Sequence, residues 1–186
     1  MDYLRGFIAW IAFAVVSSYS LQWGAVAGLA VGVGVLAKEL RSGTRAEALV
    51  LEGSGALFFA VLTGLAFAFP RGPLAEYSGA LSLAWLAVTA WGTVAVRRPF
   101  TTGIAKRQAP PAVWETPLFR RINTVLTSAW ATAFTVTAGG VAAVHAAGVG
   151  GGIPVLCQIA GFVLPMLFTG QYLKKVRARQ AAHAVR

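Results

Sequence analysis

Uncharged residues form four long stretches along the chain, separated by short charged segments. The stretches cover residues 6–37, 53–70, 77–96 and 122–173. An α-helix rises about 1.5 Å per residue, so about 20 residues cross a hydrocarbon layer roughly 30 Å thick. The second and third stretches therefore predict one crossing each. The first and fourth are too long for one crossing, and each predicts a helical hairpin.

Turn signals divide both long stretches near their middles. The first contains Ser17-Ser18-Tyr19-Ser20, and the fourth contains a glycine-rich segment that ends at Pro154. We therefore predict an all-α integral membrane protein, a six-transmembrane-helix bundle with one domain over residues 1–186. The first two helices are short, so a re-entrant hairpin is the alternative to two full crossings. The predicted helices cover about residues 5–20, 22–38, 48–69, 75–96, 118–146 and 153–173, with a cytoplasmic interfacial loop at 97–117.

The basic residues separate between alternate loops. The chain has 16 Lys and Arg residues. If the N-terminus is on the cytoplasmic side, Arg71 is the single one of them on the outer side and the others are on the cytoplasmic side. Basic residues concentrate in cytoplasmic loops. The pattern thus predicts a multi-pass protein of the cell inner (plasma) membrane with the N-terminus and C-terminus cytoplasmic. A secretory signal peptide is the competing interpretation, but the one early cation, Arg5, is offset by Asp2.

The composition agrees with a lipid environment. Hydrophobic residues make up 57% and charged residues 12% of the chain, against about 45–50% and about 25% in soluble domains. The net charge of +10 follows from the sorting of basic residues by side. We therefore predict a lipid bilayer as the partner and no nucleic acid.

The residue types that membrane chemistry needs are scarce here. A bis-histidine haem needs a second intramembrane His besides His145, and magnesium-dependent transferases need an Asp-rich motif where this chain has only Asp2. Cys157 is the single cysteine, which excludes an internal disulfide and a Cys-based metal site. The sequence therefore predicts no enzyme, no cofactor and no metal.

Polar residues within the predicted helices mark a first candidate site. Asn, Thr and Ser recur along the fifth helix at spacings of three and four residues. Such groups either hydrogen-bond to other helices or line a route for a solute, and an intramembrane acid is a functional candidate in its own right. Our first functional hypothesis is a small-solute or ion channel or transporter with a path along the fifth helix, lined by Glu52, Asn123, Thr127, Thr132 and Gln158.

The loop 97–117 is the second candidate site. Pro99 ends the fourth helix, and a short helical turn can follow before Pro110-Pro111 closes it. An amphipathic turn of this kind suits the cytoplasmic interface, with its cations toward lipid phosphate. The alternative hypothesis is an envelope scaffold or accessory subunit. It would bind a protein partner or anionic lipids through Arg97, Arg98, Phe100, Lys106, Arg107 and Trp114.

Small residues in the second helix predict close helix packing. Gly24, Gly28 and Gly32 follow one another at intervals of four, which places them on one face and lets a second backbone approach. The spacing is compatible with a contact inside the chain or between subunits. A homo-oligomer and a membrane-protein partner both stay open.

The order of features also carries a resemblance. A short helical hairpin is followed by the basic step Arg98-Pro99, by a loop with Trp114, and by a polar helix with Trp130 and Phe134. Over about residues 75–140 this resembles the bacterial intracellular septation protein A family of small inner-membrane proteins. The resemblance implies a non-enzymatic protein of the cell envelope. The chain departs from the family in having six predicted spans, where five are usual, and in lacking its C-terminal Phe-Lys step.

Overall fold

The structure, a computed structural model, describes residues 7–44, 48–70, 72–149 and 152–184. Helices lie at all six predicted positions, and a seventh short helix and one 3-10 turn occupy the loop after the fourth. The elements are α1 (Ile8–Ser17), α2 (Leu21–Arg41), α3 (Val50–Ala68), α4 (Leu74–Ala95), α5 (Phe100–Lys106), the 3-10 turn (Pro111–Val113), α6 (Pro117–Ala146) and α7 (Ile153–Ala184).

Five of the described helices are long and apolar enough to cross a membrane, namely α2, α3, α4, α6 and α7. The structure thus supports a multi-pass helical membrane protein. The first predicted crossing differs from the prediction, because α1 has 10 residues and spans only about 15 Å. Its end has a local cause, since the hydroxyls of Ser17 and Ser18 donate to the carbonyls of Ala14 and Val15 at 3.3 and 2.7 Å. Such bonds favour turns over helix continuation.

Two glycines of α2 allow close contacts with the neighbouring helices. A Cβ atom at Gly24 would lie 2.6 Å from Cβ of Ser17, and one at Gly28 would lie 2.7 Å from the ring of Phe59. Both distances are too short for any side chain. The predicted close packing is therefore confirmed, and α2 makes it within the chain, against α1 and α3.

Aromatic rings join α1 to the second half of the bundle. Phe7 stacks on Trp130 of α6 with 5.3 Å between ring centroids and meets Phe162 of α7 edge-on at the same distance. The indole N–H of Trp130 donates to the hydroxyl of Thr169 at 3.1 Å, so this buried polar group has a partner. Large apolar side chains such as Val88 and Val136 point outward, 70% and 68% exposed, as expected where lipid is the solvent.

Candidate functional site

A cavity lies where the α2–α3 connection meets α5. It has a volume of about 320 Å³, near the lower end of the range for small-ligand sites. We call it the basic pocket. The residues that line it are Ser42, Gly43, Thr44, Ala48, Gly103, Lys106, Arg107 and Trp114.

The chain after α4 is shaped to bring α5 to this position. Arg97 has a φ of 57°, in the left-handed region that reverses the backbone directly after the helix. Pro99 then starts α5, and Phe100 and Ile104, four residues apart on one face, are buried in the core. The amide of Phe100 donates to the hydroxyl of Thr93 at 3.3 Å. These contacts fix α5 against α4 and leave its C-terminal end at the pocket.

Charged groups hold the wall of the basic pocket together. A guanidinium nitrogen of Arg107 lies 3.3 Å from a carboxylate oxygen of Glu39 at the end of α2, and another donates to the carbonyl of Ala48 at 3.4 Å. The hydroxyl of Thr44 donates to the same Glu39 oxygen at 2.7 Å. This network ties α2, α3 and α5 at one end of the bundle.

An aromatic side chain and a second cation complete the pocket. The ammonium of Lys106 lies 5.2 Å from the ring centroid of Trp114, within the range of a cation–π interaction. The indole N–H of Trp114 donates to the carbonyl of Ala109 at 2.9 Å. Two positive charges therefore border a cavity whose rim also carries the hydroxyls of Ser42 and Thr44.

The six residues predicted in the loop divide into three groups. Lys106, Arg107 and Trp114 line the basic pocket, whereas Arg97 and Arg98 are exposed outside it. Phe100 differs from the prediction that it binds lipid or a partner, because its side chain is only 4% exposed and is unavailable to either. The apolar face of the predicted amphipathic turn packs on the protein itself, because the core between α4 and α6 offers it a matching surface.

A second group of polar side chains joins α5 to α6, and we call it the polar junction. Thr101, Asn123 and Thr127 are each at most 1% exposed. The hydroxyl of Thr101 donates to the carbonyl of Asn123 at 3.0 Å and lies 2.9 Å from the hydroxyl of Thr127. The side-chain amide of Asn123 donates to the carbonyl of Phe119 at 2.9 Å, while its Oδ1 is buried with no partner among the described residues.

The predicted path residues do not come together in one place. Asn123 and Thr127 belong to the polar junction, but Thr132 is exposed on another side of α6. Each residue of an α-helix is rotated by about 100° from the one before it, so Thr132, five residues after Thr127, points roughly 140° away from it. The polar residues of α6 therefore do not share one face, although many of them are three or four residues apart. Gln158 packs on α4 instead, where a Cβ at Gly79 would lie 2.3 Å from its Nε2. Glu52 lines a separate small cavity beside Trp10 and Gly32.

Sequence reasoning missed three contributors to these two sites. Ser42 and Thr44 had a weak signal in the Ser-Gly-Thr turn between charged residues, and Gly43 there has a φ of 75°. From the sequence alone, Thr101, like Thr102, is interpreted as a residue that can cap the short helical turn predicted after Pro99. It lies within α5 and bonds to α6 instead. Arg45, Glu47 and Arg71, which belong to the predicted charge pattern, lie outside the described residues.

The described part of the chain contains no group of three or more His, Cys, Asp and Glu side chains that could hold a metal ion. No family model matches the sequence, and comparisons with curated proteins and with solved structures gave no match either. Function therefore has to be argued from the two sites.

Proposed function

We propose that this chain is a non-enzymatic protein of the inner membrane that binds the phosphate-bearing headgroup of an anionic lipid in the basic pocket, on the cytoplasmic face. The observation that carries the proposal is the cavity of about 320 Å³ bordered by Lys106, Arg107 and Trp114. Guanidinium and ammonium groups are the usual protein partners of phosphate. A tryptophan beside them suits the headgroup level of a bilayer.

The position of the pocket favours a lipid over a dissolved anion. It lies at the ends of the candidate spans α2 and α3, which is where the headgroups of one leaflet are found. Arg107 already contacts Glu39, so a phosphate would join this ion pair and draw on the charge of Lys106 as well. Cations near an anionic leaflet contribute about 1 kcal/mol each.

The proposed topology has both termini on the cytoplasmic side, with α1 and α2 as a hairpin whose two ends face that side. It rests on the distribution of basic residues and on the meeting of α2, α3 and α5 at one end of the bundle. We expect cysteines at Gly72 and Val149 to react with a membrane-impermeant thiol reagent in intact cells, in a Cys157→Ala background. Cysteines at Ser42 and Gln180 should stay unlabelled. The opposite labelling pattern would reverse the orientation.

A charge-matched pair of variants tests the pocket. Lys106→Gln/Arg107→Gln and Arg97→Gln/Arg98→Gln remove the same charge from the same loop, inside and outside the pocket. We expect the first pair to weaken binding of phosphatidylglycerol, measured by native mass spectrometry from mixed-lipid nanodiscs, by about 2 kcal/mol, roughly 30-fold. The second pair should have a much smaller effect.

Three results would argue against the pocket. Equal losses in both pairs would mean that charge near the membrane acts without a defined site. Unchanged binding in both would remove the proposal. Saturation of the pocket by inorganic phosphate in a neutral phosphatidylcholine disc, with no preference for the anionic lipid, would identify a soluble anion as the ligand.

A second candidate function is a solute path beginning at the polar junction. The observation that favours it is the buried Oδ1 of Asn123, which has no partner among the described residues and is therefore able to accept a hydrogen bond from a solute or water. Flux of small solutes through liposomes should then change in Thr127→Val, a variant of nearly the same shape. Unchanged flux with lower thermal stability would assign the junction to structure. The resemblance to the septation protein A family stays a prediction.

A further inference from the structure

A small cavity beside Glu52 lies within the bundle, apart from both sites above. Glu52 is in the first turn of α3 and shares the cavity with Trp10 of α1 and Gly32 of α2. Its volume is about 10 Å³, which is close to the minimum that holds a single water molecule. A carboxyl group inside a membrane bundle with room for one water is chemically unlike the apolar contacts around it.

Two glycines keep this space open. A Cβ at Gly55 would lie 3.3 Å from Nε1 of Trp10, and one at Gly32 would lie 3.6 Å from Cβ of Ala9. Larger residues at these positions would fill the cavity. The indole N–H of Trp10 has no hydrogen-bond acceptor among the described residues, so it is a donor that a water beside Glu52 can use.

The cavity is close to the basic pocket. Ala48, which lines the pocket, lies two residues before the start of α3 and four residues before Glu52. Arg107 also lines the pocket and interacts electrostatically with Glu52. The other charged group within electrostatic reach among the described residues is Glu39 of α2. Arg107 therefore couples the wall of the pocket electrostatically to Glu52.

We propose that Glu52 is a proton-binding site within the membrane that exchanges with the cytoplasmic side through the basic pocket. A proton from water in the pocket passes to a carboxylate oxygen of Glu52 by way of the single water, which leaves the carboxyl group neutral, and release reverses the transfer. The competing explanation is that Glu52 only complements the positive end of the α3 dipole. Interaction with the helix dipole requires a permanently ionised side chain and does not require a cavity.

A carbodiimide separates the two explanations, since dicyclohexylcarbodiimide enters the bilayer and reacts with carboxyl groups that are protonated in apolar surroundings. Membrane vesicles with the full chain, held at different pH on each side, would be treated and the labelled peptides identified by mass spectrometry. We expect label on Glu52 that falls as the pH on the pocket side rises, no response to pH on the far side, and no label in Glu52→Gln. Exposed Glu115 should react only with a water-soluble carbodiimide.

A pair of glycine variants tests the cavity itself. At Gly32 a methyl group meets Ala9 at an ordinary contact distance, whereas at Gly34 nothing lies within 4 Å. Gly32→Ala should therefore fold, fill the cavity and lower the response of the label to pocket-side pH severalfold, while Gly34→Ala should leave it unchanged. Absence of label at every pH, label that follows the far side, or an unchanged response in Gly32→Ala would each overturn the proposal. The measurement needs no lipid ligand, so its outcome is independent of the proposed lipid binding in the basic pocket.

Discussion

The basic pocket and the polar junction are both built on α5, yet they differ in almost every physical respect. The junction is closed, at most 1% exposed, and its hydroxyls bond to α6 at 2.9–3.0 Å. The pocket is open, about 320 Å³ in volume, and bordered by two cations. One face of this seven-residue helix therefore attaches it to the bundle, while its C-terminal end carries side chains that line the pocket. Polarity alone does not distinguish the two roles, and accessibility does.

The largest expected effect comes from the apolar anchor of α5. Phe100→Ala removes a ring that is 4% exposed and part of the core, and such truncations cost about 3–5 kcal/mol. We expect a clear loss of thermal stability in detergent. Leu118→Ala, at a side chain that is 42% exposed, is the control and should have little effect. If the Phe100→Ala protein is stable but does not bind anionic lipid, Phe100 contacts the lipid, as the loop sequence predicts.

A smaller effect is expected at the junction. Thr101→Val keeps the shape of the side chain but leaves the buried hydroxyl of Thr127 without this neighbour, at a cost of about 1–3 kcal/mol. Thr132→Val makes the same chemical change at an exposed position of α6 and should stay within about 0.5 kcal/mol. Thermal unfolding of both variants gives the comparison. Equal stabilities, together with changed solute flux in Thr101→Val, would make the junction part of a path.

The smallest effect is expected from the ion pair at the pocket wall. The side chains of Arg107 and Glu39 are 24% and 15% exposed, and a double-mutant cycle with Arg107→Gln and Glu39→Gln should give a coupling of about 1 kcal/mol that weakens in high salt. Glu39→Gln alone should strengthen anionic lipid binding, because Arg107 loses its competing carboxylate. Weaker binding in Glu39→Gln would show that the carboxylate orients Arg107 for the ligand.

The helices could be predicted from the sequence because uncharged stretches and turn residues are direct signals of membrane crossing. The helix predicted over residues 75–96 covers Leu74–Ala95 in the structure, and the helix predicted over residues 118–146 covers Pro117–Ala146. The end of α7 was wrong by eleven residues, at Ala184 instead of 173. Charged residues indicate where a helix leaves the lipid, but they do not end the helix. Lys174 and Lys175 are good helix formers, so the helix continues beyond them into water.

The sites were harder to predict, and the reason differs between them. Lys106, Arg107 and Trp114 were identified by residue type, but the cavity depends on Ser42 and Ala48, which are more than 50 residues away in the sequence. At the junction, Thr127 and Thr132 looked alike in the sequence, whereas their neighbours decide that one is buried and the other exposed. Tertiary contacts, which a single sequence does not reveal, separate residues of the same type.

The stacking of Phe7 on Trp130 limits when this contact can form during synthesis of the chain. Phe7 is synthesised before the rings that contact it on Trp130, Phe134 and Phe162, which belong to α6 and α7. Membrane helices insert first and associate afterwards. The ring of Phe7 therefore lacks these contacts, in the bilayer or with an insertion factor, until α6 and α7 have been translated. Truncation before α7 would remove the contact of Phe7 with Phe162, while Trp10 and Phe13 of α1 would keep their contacts with the rings of α3.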